Sequence, residues 1–177
     1  MVVLLLSRAE TESLLDLDAL RHSLRGAMED VTAGRGSMPP RIAAMVPGRG
    51  LLAAKLVSLF PGNAGTSLPT HQAVVIVFGA DSGEPVALLD GTSITTLRTA
   101  AGSALSAELL APEGAATLAI LGTGVQARAH AEAMVRVRPI RRIRVAGRNW
   151  GRAASLSSVL QDTLEIDVRA VETYAEA

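Results

Sequence analysis

The chain of 177 residues contains no cysteine. This absence excludes disulfide bonds, thiolate metal sites and cysteine nucleophiles, and it is typical of a protein kept in the reducing cytoplasm. We therefore expect a cytoplasmic protein, and we predict no metal site.

Aromatic residues are also scarce, because one tryptophan, one tyrosine and two phenylalanines are all that the sequence contains. The core must rest on alanine, leucine and valine, and an aromatic surface that stacks RNA bases is not expected. Charge shows no bias either, since 17 Lys and Arg residues equal 17 Asp and Glu residues. A chain balanced in this way gives no reason to expect a nucleic-acid partner.

Long hydrophobic runs are missing as well. The first run, Val2 to Leu6, follows no positive charge and is too short for the core of a signal peptide. The longest later run, residues 73–80, is far below the ~20 residues that a membrane helix needs. We therefore expect a soluble protein with no membrane partner.

The first half of the sequence predicts a mixture of helices and antiparallel strands. A strand at 2–6 precedes Ser7 and Glu10, whose spacing is that of a capping box at a helix start. Apolar residues recur at helical spacing from Leu17 to Val31, which predicts a longer helix. Short β-leaning runs between 41 and 90, with a hairpin turn at 81–83, predict a meander, and a second long helix follows it.

From residue 114 onwards, predicted strands and helices alternate. The predicted elements are strand 116–121, helix 125–137, strand 142–146, helix 151–161 and strand 166–171. Such alternation predicts parallel strands joined by right-handed crossovers. We place a domain boundary at the Pro-Glu-Gly segment, between a first domain of residues 1–113 and a second of residues 114–177.

The turn after the first of these strands carries a glycine motif, GTGVQA at 122–127. In a dinucleotide-binding turn, Gly122 permits a tight bend, Gly124 lets the backbone approach a pyrophosphate, and the small Ala127 lets helix pack on strand. The free N–H groups and the dipole of the helix then attract the phosphates. The alternative is an ordinary turn that contains glycines, but the strand–helix–strand setting favours a dinucleotide site.

The end of the second strand of this region indicates which dinucleotide binds. An NAD site usually has Asp or Glu there to bind the ribose 2′-hydroxyl, whereas an arginine suits the 2′-phosphate of NADP. This sequence has no acid at that point but has Arg148, Asn149 and Arg152. We predict a preference for NADP(H), with NAD(H) as the alternative coenzyme. The other interpretation is that both arginines are solvated surface residues.

Several stretches, taken together, resemble the ornithine cyclodeaminase and mu-crystallin family. They are MPPR (38–41), LLAAKLVSLFP (51–61), PTHQAVVIVF (69–78), LLDGTSITTLRTAAGSALSAELLAP (88–112) and ILGTGVQARAH (120–130). The resemblance covers essentially the whole chain. Its most specific parts are the opening of the helix in 88–112 and the GxGxQ loop.

The resemblance implies an α/β protein, in which an α+β oligomerisation and substrate domain precedes a Rossmann domain with a parallel sheet. It also implies an NAD(P)H-dependent oxidoreductase that moves a hydride between nicotinamide and the α-carbon of a small amino or imino acid. A cyclic imine or ketimine reductase and an amino-acid dehydrogenase both fit that description. A homodimer through the first domain is expected on the same ground.

The functional residues of the family fall on identifiable positions of this chain. Arg41 matches the arginine that binds the substrate carboxylate, and Lys55 the active-site lysine that binds the carboxylate and polarises the imine or carbonyl. Arg98 matches an arginine near both substrate and cofactor. The other matches concern the cofactor: Thr70, His71 and Gln72 near the nicotinamide, Gly122, Thr123, Gly124, Val125 and Gln126 in the phosphate loop, and Arg148 and Asn149 at the 2′-phosphate.

Each of these polar residues also has a plainer interpretation. Arg41 would be a loop cation, Lys55 a residue on the solvent face of an edge strand, and Arg98 a partner in a simple ion pair. His71 would be a packed residue at a strand start, and Gln126 a residue on a helix surface.

Family members continue beyond the third Rossmann strand, whereas this chain stops just after it. The resemblance therefore predicts an incomplete Rossmann domain: a truncated product, a partial segment, or one half of a split protein. The function above is then that of the complete protein. The alternatives to it are an ornithine cyclodeaminase that eliminates ammonia and recycles NAD, and a non-catalytic, mu-crystallin-like NADPH-binding protein.

Overall fold

The computed structural model describes residues 4–35, 43–45 and 50–177. Arg41 and the rest of the MPPR stretch lie outside the described residues. The elements are β1 (Leu4–Leu6), α1 (Arg8–Leu14), α2 (Leu17–Thr32), β2 (Ala43–Met45), β3 (Leu51–Leu59), a 3₁₀ turn (Pro61–Asn63), β4 (His71–Gly79), β5 (Pro85–Asp90), α3 (Gly91–Leu110), β6 (Thr117–Leu121), α4 (Val125–Met134), β7 (Arg142–Ala146), α5 (Trp150–Leu164) and β8 (Asp167–Val171).

These elements form two compact units, residues 1–95 and 96–177, and the division falls within α3. The domain boundary at residues 113 and 114 stays a prediction. In the described part of the chain, no helix combines the length and the hydropathy needed to cross a membrane.

The first unit contains one mixed sheet of five strands in the order β1-β5-β4-β3-β2. Strands β2 to β5 pair antiparallel with their sequence neighbours, which confirms the predicted meander. Strand β1 adds a parallel pair with β5. Lys55 pairs with Val75 and Leu59 with His71. Because paired residues share a face, and alternate residues along a strand do too, Lys55 and His71 lie on the same face of the sheet.

Both N-terminal helices begin at side-chain caps. Ser7 Oγ accepts a hydrogen bond from the Glu10 backbone N–H, and the Glu10 carboxylate accepts one from the Ser7 N–H at 2.9 Å, which confirms the capping box. The Asp16 carboxylate accepts two backbone N–H groups at the start of α2. Helix α2 spans the predicted apolar stripe, yet none of its residues is buried, and Met28 is 56% exposed.

Helix α3 begins directly after Asp90, which binds its first turn. The carboxylate accepts the backbone N–H groups of Thr92 and Ser93, each at 3.1 Å, and the Ser93 hydroxyl at 2.7 Å. Partial burial of the Asp90 carboxyl raises its pKa, but the hydrogen bonds from Ser93 and Thr92 outweigh this effect, so the pKa is lowered overall.

Replacing Asp90 with alanine removes the acceptor of all three bonds, and we expect the free energy of unfolding to fall by about 1 kcal/mol. Because the pKa is lowered in the folded state, the ionised carboxylate stabilises the protein above the unfolded pKa of about 3.9, and this contribution is lost as the pH falls through the folded pKa. Urea denaturation measures both effects. The deficit of Asp90→Ala should shrink as the pH falls below about 4; an unchanged deficit would contradict the assignment.

The second unit contains a parallel sheet in the order β6-β7-β8, with α4 and α5 as crossovers. This arrangement confirms the predicted alternation and its parallel pairing. Helix α4, however, ends at Met134 rather than at residue 137. The chain turns there, and the Arg138 guanidinium donates to the carbonyl oxygens of Glu108 at 2.8 Å and Ala111 at 2.7 Å, at the C-terminal end of α3.

Small side chains form the contact between α3 and α4. Ala100 and Ala104 of α3 form one buried cluster with Ala129 and Ala133 of α4. A second cluster, with Ile143, Val145 and Leu160 at its centre, fills the space between the parallel sheet and its helices. The carboxyl ends of β6 and β7 are thereby held in fixed positions.

Candidate functional site

The glycine loop of residues 122–124 connects the end of β6 to the start of α4. Gly122 has a φ of +121°, a conformation that other residues rarely adopt, and its N–H donates to the Ala146 carbonyl at 2.8 Å. Gly124 is the N-cap of α4, with an ordinary φ of −81°. The loop therefore bends sharply at its first glycine and enters the helix at its second.

A cavity of about 270 Å³ opens beside this loop. It is lined by Gly122, Thr123, Gly124, Gly147, Arg148, Asn149, Arg152 and Tyr174. A Cβ atom added to Gly122 or to Gly124 would meet nothing within 4 Å, so the backbone here faces open space. The structure thus brings the predicted phosphate loop and the predicted 2′-phosphate residues together around one cavity.

A third glycine lies where the ends of β6 and β7 meet. Gly147 follows β7, and a Cβ atom there would lie 2.9 Å from Thr123 Cγ2. Atoms do not approach that closely without displacement, so a larger residue at this position would require the Thr123 side chain to shift. The sequence motif did not single out Gly147, although its place directly after the second strand is a signal that could have found it.

The three polar residues after β7 differ in their local roles. Asn149 caps α5, because its Oδ1 accepts the Arg152 backbone N–H at 3.0 Å. Arg148 and Arg152 are both exposed, and Arg152 also lines a second cavity of about 450 Å³ between the starts of α4 and α5. Both guanidinium groups therefore lie where an anion in the first cavity could be bound.

Tyr174 is, with Gly147, a residue of this cavity that sequence reasoning missed. It follows β8, the third strand, and carries no motif of its own. Only the parallel order β6-β7-β8 brings the residues after all three strands to one edge of the sheet.

Lys55 lies on β3, between β2 and β4, rather than on an edge strand. It is half-buried, and its Nζ donates a hydrogen bond to Thr95 Oγ1, whose hydroxyl in turn donates to the Gly91 carbonyl at 2.6 Å. The interpretation as a solvated lysine on an edge strand is therefore wrong. Its catalytic role stays a prediction.

The single lysine of the sequence is Lys55, since every other cation among the 17 Lys and Arg residues is an arginine. An arginine stays protonated at all relevant pH values, whereas a lysine can release its proton. A lone lysine among arginines is a further sequence signal for chemistry at this position.

The other predicted residues occupy varied settings. Thr70 is exposed just before β4, and His71 is partly buried at the first position of that strand. Arg98 is exposed on α3, one turn after Thr95. Gln126 is not a plain surface residue, because its Oε1 is buried and has no hydrogen-bond partner among the described residues. The remaining two, Gln72 and Val125, are exposed.

The comparison with known proteins agrees with this fold. A model of the ornithine cyclodeaminase/mu-crystallin family matches residues 1–177. The chain belongs to this family. Ketimine reductase mu-crystallin from Mus musculus is 37% identical to it over 115 residues, which are 65% of this chain and 36% of that protein.

Two solved structures are similar to the chain over almost its whole length. The Thermococcus litoralis Δ1-pyrroline-2-carboxylate reductase, in complex with NADH and L-proline, has a TM-score of 0.89 at 30% identity and covers 98% of this chain. An archaeal alanine dehydrogenase dimer with bound NAD has a TM-score of 0.91 at 28% identity and covers 97%. The matches cover 58% and 56% of those two chains, so this chain spans less than three fifths of their length. The match to the mouse relative covers about a third of that protein's length.

The two glycines of the loop should respond differently to substitution. Gly122→Ala forces a Cβ into a backbone conformation that disfavours it, and we expect a loss of about 1–3 kcal/mol in the free energy of unfolding. Gly124→Ala meets no neighbour and has an ordinary φ, so its effect should stay under about 1 kcal/mol. Thermal or urea denaturation of the two variants measures the difference, and equal losses would contradict the role assigned to Gly122.

Proposed function

We propose that the cavity at the glycine loop binds the adenosine and phosphate half of a nicotinamide coenzyme. The observation that carries this proposal is the combination of a positive-φ Gly122, open space at both loop glycines, and two exposed arginines around one cavity. Backbone N–H groups at the start of α4 would bind the pyrophosphate, helped by the helix dipole. When bound, the coenzyme supplies or accepts a hydride.

The preferred coenzyme is NADP(H). The solved relatives above hold NADH and NAD, so the preference rests on this chain's own residues. No carboxylate follows β7 at residues 147–149, where it would bind a ribose 2′-hydroxyl. Arg148 and Arg152 instead offer charge-assisted hydrogen bonds to a phosphate, and the Asn149 amide can add another.

The complete protein would be an oxidoreductase acting on the α-carbon of a small amino or imino acid. The L-proline bound to the Thermococcus litoralis reductase supports this substrate class. Arg41 and Arg98 would hold the substrate carboxylate through charge-assisted hydrogen bonds. Lys55 would exchange a proton with the substrate nitrogen or carbonyl oxygen, because a lysine held by Thr95 is a positioned acid or base.

The protein would work as a cytoplasmic homodimer. The alanine dehydrogenase relative is a dimer, and α2 of this chain carries an apolar stripe with no buried residue. A second copy that covers this stripe would bury Met28 and Val31, which are 56% and 37% exposed.

The coenzyme proposal is tested by titrating the purified chain with NADPH and with NADH while following the emission of Trp150. This single tryptophan lies two residues after Arg148, and its side chain is 54% exposed. We expect saturable quenching by NADPH at lower concentration than by NADH, and weakening by salt, because ion pairing with a phosphate is screened. A folded chain that responds to neither nucleotide would overturn the proposal.

Arg148→Ala should weaken NADPH binding about 10- to 100-fold, since a hydrogen bond to a charged group contributes roughly 1.5–3 kcal/mol. NADH binding should change by less than about twofold, because NADH lacks the 2′-phosphate. Arg141→Ala is the matched control, since it removes the same charge just before β7 rather than just after it. If Arg141→Ala weakens NADPH binding equally, the effect is one of net charge and not of the site.

The role of Lys55 is tested by two replacements, made in the longest polypeptide that contains this chain. The turnover of cyclic imino acids such as pyrroline-2-carboxylate is measured for each variant. Lys55→Arg keeps the positive charge but cannot release a proton, and Lys55→Met removes both. We expect both variants to lose about 10²- to 10⁴-fold in kcat while coenzyme binding is retained. Full activity of Lys55→Arg would show that charge alone matters, and would contradict proton exchange.

A further inference from the structure

We infer that Tyr174 stacks on the adenine ring of the bound coenzyme. This inference rests on the proposed function and deepens it, because it assigns the remaining wall of the same cavity. The glycine loop accounts for the pyrophosphate, and Arg148, Asn149 and Arg152 account for the 2′-phosphate. Among the described residues that line this cavity, Tyr174 is the one with an aromatic side chain.

The position of Tyr174 follows from the order of the strands. The residues after β6, β7 and β8 meet at the carboxyl edge of the parallel sheet, with β7 in the middle. A dinucleotide that begins at the β6 loop and passes the residues after β7 therefore reaches the residues after β8 with its base.

The turn that carries Tyr174 is held by hydrogen bonds on both sides of it. The Glu172 backbone N–H donates to the Glu176 carboxylate at 3.1 Å, and the Glu176 N–H donates to the Thr173 carbonyl at 3.3 Å. The side chain of Tyr174 is 55% exposed, so one side of the ring remains available to a ligand.

The charges around the cavity separate its two ends. Arg148 and Arg152 line the cavity after β7, whereas Glu172 and Glu176 do not line it but belong to the turn that carries Tyr174 after β8. Two carboxylates repel a phosphate, so the end at Tyr174 suits a neutral group. An uncharged planar purine can stack on the aromatic ring at this end.

The experiment compares the wild-type chain with Tyr174→Ala and Tyr174→Phe by isothermal titration calorimetry. Three probes are used: NADPH, adenosine 2′,5′-bisphosphate, and inorganic pyrophosphate, which has no base. Tyr174→Ala should weaken NADPH and the bisphosphate by the same factor, about tenfold, and leave pyrophosphate unchanged. Tyr174→Phe keeps the ring and should bind all three within about twofold of wild type.

Three results would overturn the inference alone. Unchanged NADPH binding by Tyr174→Ala would mean that the ring does not touch the base. Equal weakening of pyrophosphate would mean that the variant distorts the site, and an equal loss in Tyr174→Phe would assign the contact to the hydroxyl. A wild-type chain that binds neither NADPH nor NADH would instead overturn the proposed function, and this inference with it.

Discussion

The parallel pairing of β6 with β7 is the constraint on which the candidate coenzyme site depends, because it places the residues after both strands side by side. At this point a Cβ atom at position 147 would lie 2.9 Å from Thr123 Cγ2, so a larger residue there would displace the Thr123 side chain. The Gly122 N–H continues the parallel ladder by donating to Ala146, and the chain must then turn through a positive φ to enter α4. The glycine loop and Arg148 follow directly after these two paired strands and line one cavity.

The distribution of charge follows the same geometry. The positive ends of α4 and α5 and two arginines surround one end of the cavity, so a phosphate there meets both helix dipoles and guanidinium groups. The first unit uses a different device. Lys55 lies on the internal strand β3 and donates a hydrogen bond to Thr95. It is the single lysine of the chain, and a lysine can release its proton whereas an arginine cannot.

Most of the fold could be predicted because its signals are local. Capping at Ser7, the apolar stripe of α2, the hairpin turns and the alternation after residue 114 all depend on residues close together in the sequence. The parallel pairing of β1 with β5 could not be predicted, since Leu5 and Leu88 are distant in the chain and no turn links their strands. The surroundings of Lys55 depend on the register of β3 and β4, which the sequence pattern did not define.

The site residues that belong to a sequence motif could be predicted. Those that come together only through the order of the strands could not. Gly122, Gly124 and Arg148 belong to a recognisable turn and strand end, and the structure brings them to one cavity. Tyr174 has no such mark, because its place in the cavity depends on the order of three strands. The catalytic and binding roles of all these residues stay predictions.

The cap formed by Asn149 has a consequence for how this protein can change over evolutionary time. Its Oδ1 is already bound to the Arg152 N–H, so the part of the side chain left for a ligand is the amide donor. Aspartate caps a helix as well as asparagine does, but it presents a carboxylate in place of that donor. If the proposed coenzyme site is right, exchange of this amide for a carboxylate would favour a ribose hydroxyl over a phosphate at position 149 while α5 keeps its cap. Ligand preference and helix stability could then be selected independently at this position.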